Sequence, residues 1–432
     1  MLPLVKGFSA MLVFPASLQT TRSLVCLVLC VFTTTVFYSS SGGVYAQEPP
    51  DSVVARTKMQ LRKGDDVIDV IEQGDLLKVV EARKDYYVIL TMNGNRGIVG
   101  KDDALLLTES VETYNRLIEN NPTQGRLLTL RASAWWARGD TAKALADYDR
   151  AIDQGYKEPH AYSSRGLFHA ALGNYEKAIL DFNTAIERGA KDEAAYINRA
   201  AIYLSIDRPD MALKDYNEAV IVAPNSPTAY HLRAVLHKSQ GKLEAAISDF
   251  TKAIEVDPKH EDSLMGRGFV WFQKDYWRKA IEDFSAVIRI NPNSARAYNN
   301  RGYNRQLVGD FAEALKDYEE AIRLAPKFGL AYQNKAWLLA SADDAKVRSG
   351  KKAIEAATKA CELTEYKNVG DIKALAAAFA EDGQFPTAVK WQVKAIELSD
   401  EDFKPFEQEV LEHYRNKKPI RLADFQGDDA AP

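Results

Sequence analysis

Residues 144–152 read ALADYDRAI, and the same pattern returns as AILDFNTAI from Ala178, ALKDYNEAV from Ala212, AISDFTKAI from Ala246, AIEDFSAVI from Ala280 and ALKDYEEAI from Ala314. Each start lies 34 residues after the last. A fixed period of this length marks an array of helix pairs, in which no unit buries its own apolar face alone and neighbours complete each other's cores. Two degenerate copies follow: AIEAATKAC from Ala353, after five extra residues within 342–348, and AVKWQVKAI from Ala388. That makes eight units over residues 125–402. Counting back one period from Ala144 reaches Ser110, so SVETYNRLIENNP is expected as a lone second helix over 109–122, capping the N-terminal end.

Small residues recur in the first helix of each pair, at Ala132, Gly166, Ala200, Ala234, Gly268, Gly302 and Ala336, and again at the alanine that opens each motif. They allow two helices to cross closely. An aromatic four residues after that alanine, as at Tyr148, Phe182, Tyr216, Phe250, Phe284 and Tyr318, shares its helix face and can plug the next unit. Gly139, Gly173, Gly241 and Gly309 punctuate the turn inside the pair, with Asp207 and Asp275 replacing glycine in two units. Pro224, Pro258, Pro292 and Pro326 end the second helix.

These positions together resemble the tetratricopeptide repeat, from residue 109 to about 402. The resemblance implies a mainly α fold, a right-handed α-solenoid of helix-turn-helix units. Residues 403–418 are expected as a C-terminal capping helix and 419–432 as a flexible tail. Residues 51–107 read differently. VIDVI, LLKVVEA and YYVIL alternate in short runs broken by Lys63-Gly64-Asp65, Gly74-Asp75 and Asn93-Gly94-Asn95, which predicts about five strands and tight turns. Asn93-Gly94 predicts a hairpin joining the strand ending at Met92 to the one through Ile98 and Val99. The pattern resembles bacterial SH3-like domains, a small all-β barrel.

A second regularity rides on the period. Arg131, Arg165, Arg199, Arg233, Arg267, Arg301 and Lys335 are basic at one repeat position, and Asp147, Asp181, Asp215, Asp249, Asp283 and Asp317 are acidic at another. A basic stripe gripping an acidic ligand is one reading. Seven cations matched in register by six acids would be largely neutralised, so structural pairing is the expectation.

The chain has 432 residues with 56 basic and 60 acidic side chains, a balance that gives no support to a phosphate-tracking, nucleic-acid-binding surface. Residues 1–46 have the layout of a secretory signal peptide. Arg22 precedes an apolar run, and Val44-Tyr45-Ala46 places small residues for cleavage before Gln47. Met11 is an alternative start to Met1. The expected product is exported, to the periplasm or beyond; the alternative is a membrane anchor formed by an uncleaved leader, for which the run is short and interrupted by Thr33, Thr34 and Thr35. Cys26 and Cys30 fall in the leader, leaving Cys361, expected as a small buried side chain.

The chain shows no phosphate-binding loop, nucleophile elbow, zinc-protease motif or paired C-x-x-C. His231 and His237 are six apart and do not stack on one helix face as metal ligands would. No catalytic, cofactor or metal site is expected, and the protein is read as non-enzymatic. An accessory role beside some transferase is the surviving enzyme hypothesis. By the family resemblance, the inward face of the first helices is a groove for an extended peptide or partner protein. Its candidate residues are Phe269, Phe272, Asn299, Tyr303, Gln333 and Trp337, with Phe269, Phe272, Tyr303 and Trp337 as an aromatic patch. The Lys and Asn clamp of chaperone adaptors is not carried over, since Ser163, Leu167 and Ile197 stand in its places. Asn198, Asn300 and Asn334 resemble the asparagine ladder of the O-linked N-acetylglucosamine transferase superhelix, interrupted here by Leu232 and Gly266. The remaining residues leave no room for a glycosyltransferase domain. The rival reading makes the SH3-like module a binder of cell-wall (peptidoglycan) peptides, with the array as spacer.

Overall fold

A computed structural model describes residues 52–63, 66–91, 94–190 and 193–425. The expected leader lies outside the described residues, as do 426–432. No helix among the described residues is long and apolar enough to cross a membrane.

Among the described residues seven strands precede the helices: β1 (Ser52–Ala55), β2 (Met59–Lys63), β3 (Asp66–Ile71), β4 (Leu76–Ala82), β5 (Tyr86–Leu90), β6 (Arg96–Gly100) and β7 (Ala104–Leu106). Five form an antiparallel sheet in the order β6-β5-β4-β1-β7, and β2 pairs with β3. The expected hairpin is present: β5 and β6 are antiparallel with Tyr87 opposite Val99, and Gly94 takes φ +80° in the turn. Two strands were not foreseen. β1 is four residues without a polar alternation, and β2 buries only Leu61 among polar neighbours.

Successive residues of β1 feed two different cores, as the two-residue period of a strand requires. Val53 packs with Ile71, Leu77, Ile89 and Val99 inside the β region. Val54 packs with Val111, Tyr114, Ile118, Leu127 and Leu128 of the first helices. The Tyr114 hydroxyl donates to the Gly74 carbonyl at 3.0 Å, and Arg126 pairs with Asp75 at 2.8 Å. Gly74 has φ +85°, and a Cβ there would lie 2.7 Å from Leu117, so the turn accepts glycine alone. The β region and the first helices are therefore one packed piece.

Eighteen α-helices are found among the described residues, in two compact bodies divided after Pro224. The first body holds α1 (Val111–Asn120), the expected cap, then the pairs α2 (Gly125–Ala137) with α3 (Thr141–Asp153), α4 (Pro159–Ala171) with α5 (Tyr175–Glu187) and α6 (Ala194–Ser205) with α7 (Pro209–Val222). The second holds α8 (Pro227–Ser239) with α9 (Leu243–Val256), α10 (Glu261–Gln273) with α11 (Trp277–Ile290), α12 (Ala295–Leu307) with α13 (Phe311–Leu324), α14 (Gly329–Ser341) with α15 (Gly350–Leu363), α16 (Val369–Glu381) with α17 (Phe385–Leu398), and α18 (Lys404–Arg415).

The small residues do what their spacing implied. A Cβ on Gly166 would stand 3.2 Å from the Phe182 ring and 3.3 Å from the Ala178 carbonyl oxygen. The aromatic plugs also reach neighbours: Tyr148 lies 5.3 Å from Phe168 of the next first helix, and a Cβ on Gly266 of α10 would meet Phe250 of α9 at 2.5 Å. Asp207 and Asp275 adopt φ +57° and +62°, the left-handed conformation that glycine holds in the other turns.

The charge ladder is paired throughout. In each of six units the arginine donates from Nε and Nη2 to the two oxygens of its aspartate, as Arg131 does to Asp147 at 2.8 and 2.6 Å and Arg267 to Asp283 at 3.0 and 2.7 Å. The third arm reaches sixteen residues back, into the preceding second helix. Arg131 Nη1 donates to Asn115, Arg165 to Asp149, Arg199 to Asn183, Arg267 to Thr251 and Arg301 to Ser285. Each of these five guanidinium groups thus closes its own pair and ties it to the one before. This fork geometry suits arginine; Lys335, the seventh member, makes a single contact to Glu319 at 2.9 Å.

At the C-terminal end α18 stands where another first helix would. Its Glu407 is buried, accepts from Gln392 Nε2 at 2.7 Å and pairs with Lys373. The flexible tail expected from residue 419 does not begin there: Ile420 is buried, and Arg421 pairs with Glu381 at 2.7 Å. The two contacts, one apolar and one ionic, hold a stretch whose composition alone looked solvent-directed.

Candidate functional site

The first helices of the second body, α8, α10, α12, α14 and α16, carry most of the expected groove residues. Phe269, Tyr303 and Trp337 are buried in one apolar cluster with Phe284, at 3–6% exposure. Phe272 is half-buried at its edge and meets Tyr303 edge to face at 5.8 Å. Lys238 of α8 lies with its ammonium 5.8 Å from the Phe269 ring, and burial lowers its pKa. The aromatic patch is thus brought together, but as interior: Phe269 packs edge to face on Phe284 of α11 at 5.7 Å, and Tyr303 lies against Phe272. Phe272, Met265 and Val235 keep partial exposure.

The asparagines are also interior. Asn334 Nδ2 donates to Asn299 Oδ1 at 3.0 Å, and Asn299 Nδ2 to Asn300 Oδ1 at 3.4 Å, with all three nearly or wholly enclosed. Asn304, one turn beyond Asn300, joins them through Nδ2 to the Asn300 carbonyl at 2.9 Å; the i, i+4 spacing was its signal in the sequence. Gln333 is buried beside Gly370, where a Cβ would come within 2.2 Å of its Nε2. Asn198 is buried in the first body. Sequence reasoning also missed Gln306, which accepts from the buried Tyr318 hydroxyl at 3.0 Å.

The histidines nearest the groove are committed to structure. His260 caps α10 by accepting from the Ser263 amide at 3.2 Å, and His231 Nδ1 lies 3.1 Å from Ser263 Oγ. The two rings are 5.2 Å apart, and His231 also lies against Phe250. Burial, helped by His260 and Lys238, pushes His231 down to about 3. An unfolded histidine titrates near about 6.5 and so takes up its proton first as pH falls. Stability from this group is complete above about 6.5 and is lost on acidification toward 3. The loss is at most about 1.4 kcal/mol per pH unit, a ceiling because the residue retains some surface. The urea midpoint is expected to drop between neutral and mildly acidic pH more in the native chain than in His231→Gln; equal drops would exclude this origin.

Burial pushes the Cys361 thiol up to about 12, the property of an enclosed, unreactive side chain. Among the described residues no three His, Cys, Asp or Glu side chains could hold a metal ion.

Family models described as tetratricopeptide repeat match residues 106–159, 129–193 and 164–230 in one form, and 227–260 and 295–328 in another. No curated protein matches the sequence. Among solved structures the chain is similar to YrrB, described as a TPR protein with an unusual peptide-binding site, at 24% identity over 43% of this chain and 96% of YrrB, with a TM-score of 0.37. It is also similar to the C-terminal part of a TPR repeat-containing protein from Cytophaga hutchinsonii, at 20% identity over 56% of this chain and 98% of that one, TM-score 0.48. A tetratricopeptide repeat protein from Parabacteroides merdae is 19% identical over 62% of this chain and 99% of its own, TM-score 0.40. Residues 261–294 fall between the matched segments yet carry the same crossing glycine, aromatic plug and Arg267–Asp283 pair. Residues 106–260 and 295–328 of this chain are tetratricopeptide repeats.

Proposed function

We propose that this chain is an exported, non-enzymatic interaction scaffold of the cell envelope, with an SH3-like β module packed on its first repeats, and that it binds an extended peptide or partner protein along the first helices. The observation that carries this reading is the recurrence of tetratricopeptide units whose charged groups are paired with one another in the Arg–Asp ladder, one pair in each of six units. Groups paired in this way hold the units together, and among the described residues no acid, base and nucleophile converge beside them. The binding face is centred on Val235, Met265 and Phe272, which remain partly exposed where their neighbours are enclosed. Asn299, Asn300, Asn334, Gln333, Tyr303, Trp337 and Phe269 shape that face from beneath, and Asn198 is the corresponding buried position of the first body.

Enclosure decides which variant tests the idea. Alanine at Phe269 or Tyr303 would open cavities in the core and confound binding with folding. Met265→Ser with Phe272→Ser, in the full chain, is expected to lower recovery of co-purifying envelope proteins about tenfold while the helical signal and melting temperature hold. Unchanged recovery with intact fold would remove this face from consideration.

A further inference from the structure

Two places where the chain leaves its period meet at one carboxylate. The residues inserted after α14 form the loop 342–349, and the segment beyond α18 does not begin another second helix. Arg348 of the loop donates from Nε to Glu381 Oε1 at 3.0 Å, and from Nη1 to the Ala342 carbonyl at 2.7 Å. Arg421 of the C-terminal segment donates from Nη1 to Glu381 Oε2 at 2.7 Å. Glu381 ends α16, the last first helix of the repeats, and keeps 14% of its side chain exposed. Ile420, beside Arg421, is buried in the apolar cluster that includes α16.

The segment reaches this position outside any α-helix or strand. Its turn after α18 repeats the one inside each pair, with Lys417 at φ +55° and Lys418 N donating to the His413 carbonyl at 2.9 Å. Pro419, which has no N–H to donate, then starts an irregular stretch that ends where the Arg421 amide donates to Asp424 Oδ2 at 2.6 Å, ahead of a 3-10 turn over Leu422–Phe425. What fixes it is a β-branched side chain in an apolar seat and, next to it, a guanidinium on the free oxygen of a carboxylate whose other oxygen is already taken. That is how an extended peptide is read: an apolar anchor followed by one charge of defined sign.

The geometry points to a peptide-binding site at the C-terminal end of the repeats, formed by Glu381, Arg348 and the face of α16. Its resident occupant is the chain's own Pro419–Leu422, and the partner it fits is an extended segment presenting a β-branched apolar residue followed by arginine. Covalent linkage gives the resident segment a high effective concentration, so it fills the site even if each contact is weak, and a partner of the same chemistry must displace it. This site is independent of the face around Phe272.

A ten-residue labelled peptide, residues 416–425 with the sequence NKKPIRLADF, tests the site in the full chain carrying Ile420→Asp and Arg421→Glu, which removes the anchor and sets two like charges together. The peptide is expected to bind this variant about tenfold more tightly than the unaltered chain, and to lose that gain when Glu381→Gln is added. Equal binding to variant and unaltered chain, with helix content intact, would overturn the proposal. If the variant loses helix content, hydrogen exchange on the unaltered chain decides. Amides 420–422 exchanging far faster than those of α18 support a displaceable segment, and protection equal to α18 makes it a fixed cap and overturns the proposal.

Discussion

Asp317→Ala is expected to destabilise the second body by about 3 kcal/mol, near the lower end for a broken buried pair because both arginines involved keep some contact with water. The carboxylate is 3% exposed and accepts from Arg301 Nε at 2.9 Å, Arg301 Nη2 at 2.7 Å and Arg305 Nη1 at 2.8 Å. Its removal strands two guanidinium groups in a part-buried seam. Asp215→Ala strands one, Arg199, and is expected to cost less than Asp317→Ala but clearly more than Glu218→Ala, whose exposed side chain should change stability by no more than about 0.5 kcal/mol. Urea unfolding of the three variants orders them; coincident midpoints would mean that the ladder neutralises charge without contributing to stability.

Phe284→Ala should cost about 3 to 5 kcal/mol, the range for emptying an aromatic site in a close-packed core. The ring is fully buried, lies 5.7 Å from Phe269, and sits where a Cβ on Gly268 would already be within 2.9 Å. Because each repeat contacts only its neighbours, the damage should be local. Hydrogen exchange is expected to accelerate in α10 to α12 and to remain unchanged in residues 52–224. Uniform acceleration across the chain would show that the array unfolds as one cooperative body instead.

The helix pairs were legible in the sequence because six units repeat the same solution, so that thirty-four-residue spacing, small crossing residues and Arg–Asp pairing reinforce one another. Asp207 and Asp275 could be assigned to glycine-like turns from phase alone. The face of the first helices was less legible. Family-like spacing put Asn299, Tyr303 and Trp337 on the inward side, but spacing carries no information on how closely successive first helices approach, and that distance decides whether an inward side chain is surface or interior. β1 and β2 escaped because one is too short and the other too polar for alternation to show. Residues 419–421 escaped because a lone isoleucine and a lone arginine have no period.

Val53 and Val54, adjacent in one short strand, have a consequence for anyone cutting this gene. A fragment boundary at residue 108, natural from composition, would slice through the interior that Val54, Tyr114 and Leu128 share, leaving an open apolar wound on both products. The N-terminal strands and the opening helices share one interior, so a study of the β region in isolation should extend its fragment through Tyr156, past Ala151 of the same core and the Asp147 partner of Arg131.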